Sequence, residues 1–351
     1  MSQGTSSART IRLFTGNSCP DLAKRMASYL GSEIAAAEVK TFANGETQVR
    51  ILSSIRGDDV YIIQSVCAPK PNDYLMELLI MVDAMKRGSA GRVTAVIPHF
   101  GYARQDKKDK ARAPITAKLV ANLLEKAGVD RIITLDLHAS QIQGFFDIPV
   151  DNLYGEPIFA RYVKEHLREQ LQAKSIVIVS PDAGGVKRTK SFSDVLGCNL
   201  AIIHKERKRA NEVEGMTLVG SVQSMIVLII DDMIDTCGTI VMAAQTCMDN
   251  GAVEVWAIAT HGVLSDPAIE RIQTCKSLKV SCWSRRFFSD TWQGVMITNS
   301  IPHDPKKLGK ADKIVTLDIS TLLAESVRRT HNGESISALF GASFATESVV
   351  I

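Results

Sequence analysis

Short runs of aliphatic and β-branched residues alternate along the chain with stretches whose apolar positions recur every three or four residues. The first pattern is that of strands buried on both faces, the second that of amphipathic helices. It predicts strands at Ile11–Thr15, Val60–Gln64, Val93–Ile97, Ile132–Leu135, Ile176–Ser180, Leu200–His204, Val227–Ile230, Val255–Thr260 and Val295–Thr298. It predicts helices at 20–30, 72–87, 115–127, 156–171, 239–250, 266–273 and 320–329. Such alternation gives an α/β fold with mostly parallel sheets flanked by helices. The first five strands can fill one sheet and the rest a second. The expected boundary lies near Pro157, after DNLYGEP, so the domains run over 10–157 and 158–340, with tails at 1–9 and 341–351.

Composition narrows the class. At 351 residues the chain is long enough for two ordinary domains, and 45% hydrophobic residues supply their cores. A net charge of +3 gives no argument for nucleic acid or an anionic membrane. The seven cysteines contain no C-x-x-C pair and no zinc-like spacing with the histidines, which fits buried thiols in a reducing compartment. No apolar run reaches membrane-spanning length and the start has no signal core, so a cytoplasmic location is expected.

The segment VLIIDDMIDTCGT, Val227 to Thr239, carries the most chemistry. A buried strand runs into the carboxylates Asp231 and Asp232, then into Asp235, Thr236, Cys237, Gly238 and Thr239, then into a helix. Amides at a helix N-terminus bind phosphate, glycine allows close approach, and threonine hydroxyls can donate. Carboxylates repel phosphate but suit sugar hydroxyls or a metal ion. A phosphorylated sugar fits both halves.

Three further segments follow predicted strands. HFGYARQDKKDKAR crowds Arg104, Lys107, Lys108, Lys110 and Arg112 at a sheet's carboxyl edge, where α/β proteins bind ligands. His138 and Asp182 each follow a strand end and could hold Mg²⁺ if both face one cleft. HKERKRANEVEG, 204–215, reads as a mobile basic loop able to close over a polyphosphate. No complete P-loop is present; GGVKRTKS at 184–191 lacks the glycine beside lysine.

These strings resemble the class I ribose-phosphate pyrophosphokinases (PRPP synthetases), of the type I phosphoribosyltransferase superfamily. The resemblance spans about Ile11 to Phe340 and includes FANGE (42–46), NDYLMELLIM and RRTHNGESIS. It implies two phosphoribosyltransferase-like domains and the conversion of ATP and ribose 5-phosphate to AMP and PRPP. ATP would be bound by Phe42, Asn44, Glu46, Arg104, Gln105, Asp106, Lys107 and Lys108. Ribose 5-phosphate would lie on Asp231, Asp232 and residues 235–239. Lys205 and Arg207 would be catalytic, and His138 and Asp182 would bind Mg²⁺. An allosteric site for activating inorganic phosphate and inhibitory ADP would involve Ser54, Arg56, Arg112, Ser335 and Ser337. Homo-oligomers, as hexamers built from dimers, are implied.

Residues 276–293 depart from the family pattern, with two tryptophans, two phenylalanines and two adjacent arginines. An extra surface hairpin and a partner contact both fit such a segment. The insertion leaves open a non-catalytic regulatory subunit within a hetero-oligomer.

Overall fold

The computed structural model describes residues 9–209, 212–278, 294–309 and 311–340, without the side chains of 205–215. The chain divides into two compact units. One runs to Leu153 and takes back Ile319–Phe340; the other is Tyr154–Asp318.

In the first unit, β1 (Ile11–Thr15) leads into α1 (Pro20–Tyr29). The antiparallel hairpin β2 (Ala37–Thr41) and β3 (Thr47–Ile51) follows. Then come β4 (Asp59–Ile63), α2 (Pro71–Arg87), β5 (Arg92–Ile97), α3 (Thr116–Ala127), β6 (Arg131–Leu135) and β7 (Val150–Leu153). The main sheet has the order β1-β4-β5-β6-β7, all parallel. Its central strands are buried throughout, as expected for a sheet covered on both faces. Residues of α2 and α3 pack with Val60, Ile62, Val93 and Ala95 in one core layer.

The second unit begins with α4 (Glu156–His166), α5 (Arg168–Gln172), β8 (Ile176–Ser180) and α6 (Val186–Leu196). It continues with β9 (Asn199–Arg209), β10 (Glu212–Val219), β11 (Ile226–Ile234), α7 (Gly238–Asp249) and β12 (Glu254–Gly262). It ends with α8 (Ala268–Thr274), β13 (Val295–Thr298), α9 (Pro305–Leu308) and β14 (Ile314–Leu317). The sheet order is β10-β9-β8-β11-β12-β13-β14. Helices α7 and α8 cover one face and α4 and α6 the other.

The final helix, α10 (Ser320–Asn332), packs beside α1 in the first unit. The sequence reading placed it in the second domain, by continuity of the chain. The strand at 176–180 lies in the second sheet rather than completing the first; β7 takes that place. Residues 204–209 and 212–215 are not loop but part of the β9–β10 hairpin. The predicted helix 156–171 is interrupted at Leu167. The insertion lies outside the described residues from 279 to 293, as do residues 1–8 and 341–351.

Candidate active site

The second sheet fixes where ligand can bind. From β8 the chain crosses through α6 to β9 on one side; from β11 it crosses through α7 to β12 on the other. Strands β8 and β11 are parallel neighbours, so the sheet reverses its winding between them. Ligands of open α/β sheets bind outside the carboxyl ends at such a switch point. Pairing of the two strands stops at Ile229 with Val179, while β11 stays paired to β12 as far as Ile234. The carboxylates of Asp231 and Asp232 thus lie within the continuing strand, past its split from β8, rather than after its end.

The acidic pair is held tightly. Asp232 donates its backbone N–H to Asp231 Oδ1 at 2.9 Å. Arg188, from α6, places Nη1 3.5 Å from Asp232 Oδ1. Burial, then the neighbouring Asp232 charge, push the Asp231 carboxyl well above its ordinary value, with Asp182 adding to the repulsion. Asp182 follows β8, and its Oδ1 accepts from the amides of Gly184 at 2.8 Å and Gly185 at 3.1 Å, closing the turn into α6. The chain thus gathers anionic oxygens at one strand edge, a hard donor set suited to Mg²⁺ or to hydroxyls. Mg²⁺ is commonly held by one or two carboxylates together with substrate phosphates. Among the described residues no group of three or more His, Cys, Asp or Glu is arranged to hold a metal ion.

Past Ile234 the chain turns through Asp235–Cys237 into α7. Cys237, not Gly238, takes the left-handed conformation, with φ of +63°. A non-glycine residue there stores about 1–3 kcal/mol of strain and marks functional loops. Cys237 is buried, which pushes its thiol up to about 12. Such a thiol is not poised as a nucleophile; the residue shapes the backbone. The following amides open a helix of twelve residues, whose dipole favours an anion at this end. Arg271, from α8, donates to the Thr236 carbonyl at 2.9 Å across the loop.

Models of two family domains match the chain: the N-terminal domain of ribose phosphate pyrophosphokinase over residues 11–128, and the phosphoribosyl synthetase-associated domain over 209–341. Ribose-phosphate pyrophosphokinase A of Dictyostelium discoideum is 55% identical over 330 residues, 94% of this chain and 98% of the relative. The chain belongs to the ribose-phosphate pyrophosphokinase family. The fold agrees: the crystal structure of phosphoribosylpyrophosphate synthetase from Mycobacterium smegmatis superposes with a TM-score of 0.82 at 41% identity. That match covers 93% of this chain and all of the other.

The remaining pyrophosphokinase positions fall as follows. Phe42, Asn44 and Glu46 form the turn between β2 and β3, where Phe42 N–H donates to the Glu46 carbonyl at 2.8 Å and Gly45 takes φ of +90°. The Phe42 ring is 50% exposed. Arg104, Gln105, Lys107, Lys108 and Arg112 are exposed on the segment after β5, with Asp106 partly covered. Gln105 anchors that segment to α3, accepting from Thr116 Oγ1 at 2.6 Å. His138 is exposed after β6 in the first unit, whereas Asp182 belongs to the second. Ser54, Arg56, Ser335 and Ser337 are exposed in the first unit. Arg329 Nη1 holds the Ser335 carbonyl at 3.1 Å. The Lys205 and Arg207 side chains lie outside the described residues. Arg188 and Arg271 were not singled out from sequence. GGVKR signalled only a failed P-loop, and a bond from Arg271 to a carbonyl 35 positions away leaves no local trace.

Proposed function

We propose that the chain is a ribose-phosphate diphosphokinase, converting ATP and D-ribose 5-phosphate to AMP and PRPP for nucleotide biosynthesis. The observation that carries this reading is the acidic pair and left-handed loop placed together at the switch point of the second sheet. Asp231 and Asp232 take the 2′ and 3′ hydroxyls of ribose. The amides and hydroxyls of residues 235–239 take the 5-phosphate. The C1 hydroxyl oxygen then attacks the β-phosphorus of ATP, the bond to the α–β bridging oxygen breaks, and AMP leaves. No side chain at the pair is suited to general-base work, so positioning and charge neutralisation carry the rate.

Lys205 and Arg207 on β9 are assigned to the transferring group, and the exposed 104–108 segment with the Phe42 turn to ATP. His138 and Asp182 are each assigned to Mg²⁺, which would neutralise polyphosphate charge when bound. Inorganic phosphate as activator and ADP as inhibitor are assigned to Ser54, Arg56, Arg112, Ser335 and Ser337. We infer a cytoplasmic enzyme that assembles with copies of itself as a hexamer of dimers, or with related subunits; among the described residues no helix is long and apolar enough to cross a membrane.

The test is AMP and PRPP formation by the purified chain with ribose 5-phosphate, ATP, Mg²⁺ and phosphate, beside Lys205→Ala. Turnover that falls by about 10²–10³ in the variant supports the reading, the scale expected for one transition-state donor. A folded, ATP-binding chain without turnover would overturn it in favour of a regulatory subunit.

A further inference from the structure

We propose that Arg271 is a positioning residue for ribose 5-phosphate, acting by fixing the Thr236–Cys237 peptide rather than by touching the sugar phosphate. The inference rests on the assignment of residues 235–239 to the phosphate.

Arg271 Nη1 donates to the Thr236 carbonyl oxygen at 2.9 Å. A trans peptide is planar, with its C=O and N–H pointing opposite ways. Holding the carbonyl toward α8 therefore holds the Cys237 N–H away from α8. Cys237 caps α7 in the left-handed conformation, and successive amides around such a residue form a concave anion nest. The orientation of this peptide decides whether the Cys237 amide joins the Gly238 and Thr239 amides at the helix end.

The left-handed backbone needs an external hold, because a side chain at 237 disfavours it. Arg271 is suited to supply one. Its guanidinium carries fixed charge and rigid donors, and it lies 3.4 Å from where a Cβ on Gly238 would stand. Glycine at 238 thus leaves room for the clamp. Arg271 itself is exposed, so the contact serves the loop rather than the core.

The experiment is steady-state kinetics on Arg271→Met, Arg271→Lys, Cys237→Gly, the Arg271→Met/Cys237→Gly double variant, and Thr239→Val as a test of the loop assignment. In Arg271→Met, KM for ribose 5-phosphate is expected to rise about tenfold, the scale of one charge-assisted hydrogen bond. KM for ATP should move less than about twofold, on the same scale. Arg271→Lys, which keeps one donor, should recover part of the loss. Glycine at 237 removes the bias against the left-handed backbone, so the loss from Arg271→Met should shrink in the Cys237→Gly background. Additive losses in the double variant would overturn positioning and make Arg271 a direct phosphate contact. An unchanged KM in Arg271→Met, with a raised one in Thr239→Val, would overturn the inference alone. An unchanged KM in Thr239→Val would overturn the loop assignment and the inference with it.

Discussion

His331, near the end of α10, places Nδ1 2.8 Å from Asp59 Oδ2 at the start of β4, a bond across 272 positions of sequence. Arg92 Nε donates to the other oxygen at 2.7 Å, Tyr61 Oη donates at 2.9 Å, and Arg92 also reaches the Thr330 carbonyl at 3.2 Å. One buried carboxylate thus ties the last helix to the first sheet.

Burial pushes the Asp59 carboxyl up, but the bonds from Arg92, His331 and Tyr61 outweigh it and leave the group below its ordinary value. A depressed carboxyl stabilises the fold above its unfolded value, and that contribution is lost as pH falls through the lower folded value. Arg92→Met should lower stability by about 3–5 kcal/mol at neutral pH, because it leaves a buried charge short of its cation. Denaturant unfolding measures this, and the difference from wild type should shrink in acid. A loss that does not change with pH would rule out this origin.

The Asp231 carboxyl has the opposite sign. Its folded value lies above the unfolded value of 3.8, so the native state binds more protons and loses stability as pH rises between the two. Asp231→Asn should raise the melting temperature of the ligand-free protein near pH 7 by a few degrees; about 1 kcal/mol corresponds to ~2–4 °C at this domain size. The same change should weaken ribose 5-phosphate binding more than ATP binding. Calorimetry and ligand titration check the two halves, and a variant both less stable and equally weakened for both ligands would contradict the assignment.

Arg188 supplies the compensating charge at Asp232. Arg188→Met should destabilise the ligand-free protein by about 1–3 kcal/mol, the penalty for leaving a buried polar group unmatched. In the Asp232→Asn background that loss should nearly vanish. A double-mutant cycle by denaturant unfolding reads the coupling directly.

Phe42 is half exposed in a hairpin turn, so its removal should spare stability. Phe42→Ala is expected to raise KM for ATP about tenfold, within the ~1–3 kcal/mol scale of a base stacked on an aromatic ring, with an unchanged melting temperature. A drop in melting temperature with KM unaffected would assign the ring to packing instead.

The buried parallel strands were legible because uninterrupted β-branched runs have one physical use in such a chain: Ile176–Ser180 and Val295–Thr298 match their predicted bounds. The β2–β3 and β9–β10 hairpins were not, because their half-exposed positions alternate with charge and read as loop. VKRTKSFSDVL hid α6 behind a mostly polar face. In the site, the Asp231–Thr239 string was legible because its chemistry is local. The split of β11 from β8 was not, since it depends on where strands 50 positions apart stop pairing. Nor could any local pattern place α10 beside α1.

That placement sets an order of events during synthesis. Tyr154–Asp318 is complete on the growing chain before Ile319–Phe340 exists. The earlier-made unit therefore waits, with the α1 surface and Asp59 uncovered, until the last part of the message is read. A ribosome adding about 5–20 residues per second holds that surface open for many seconds. The domain translated first is the one finished last, and nascent chains stalled short of α10 are the form in which chaperones would meet this protein.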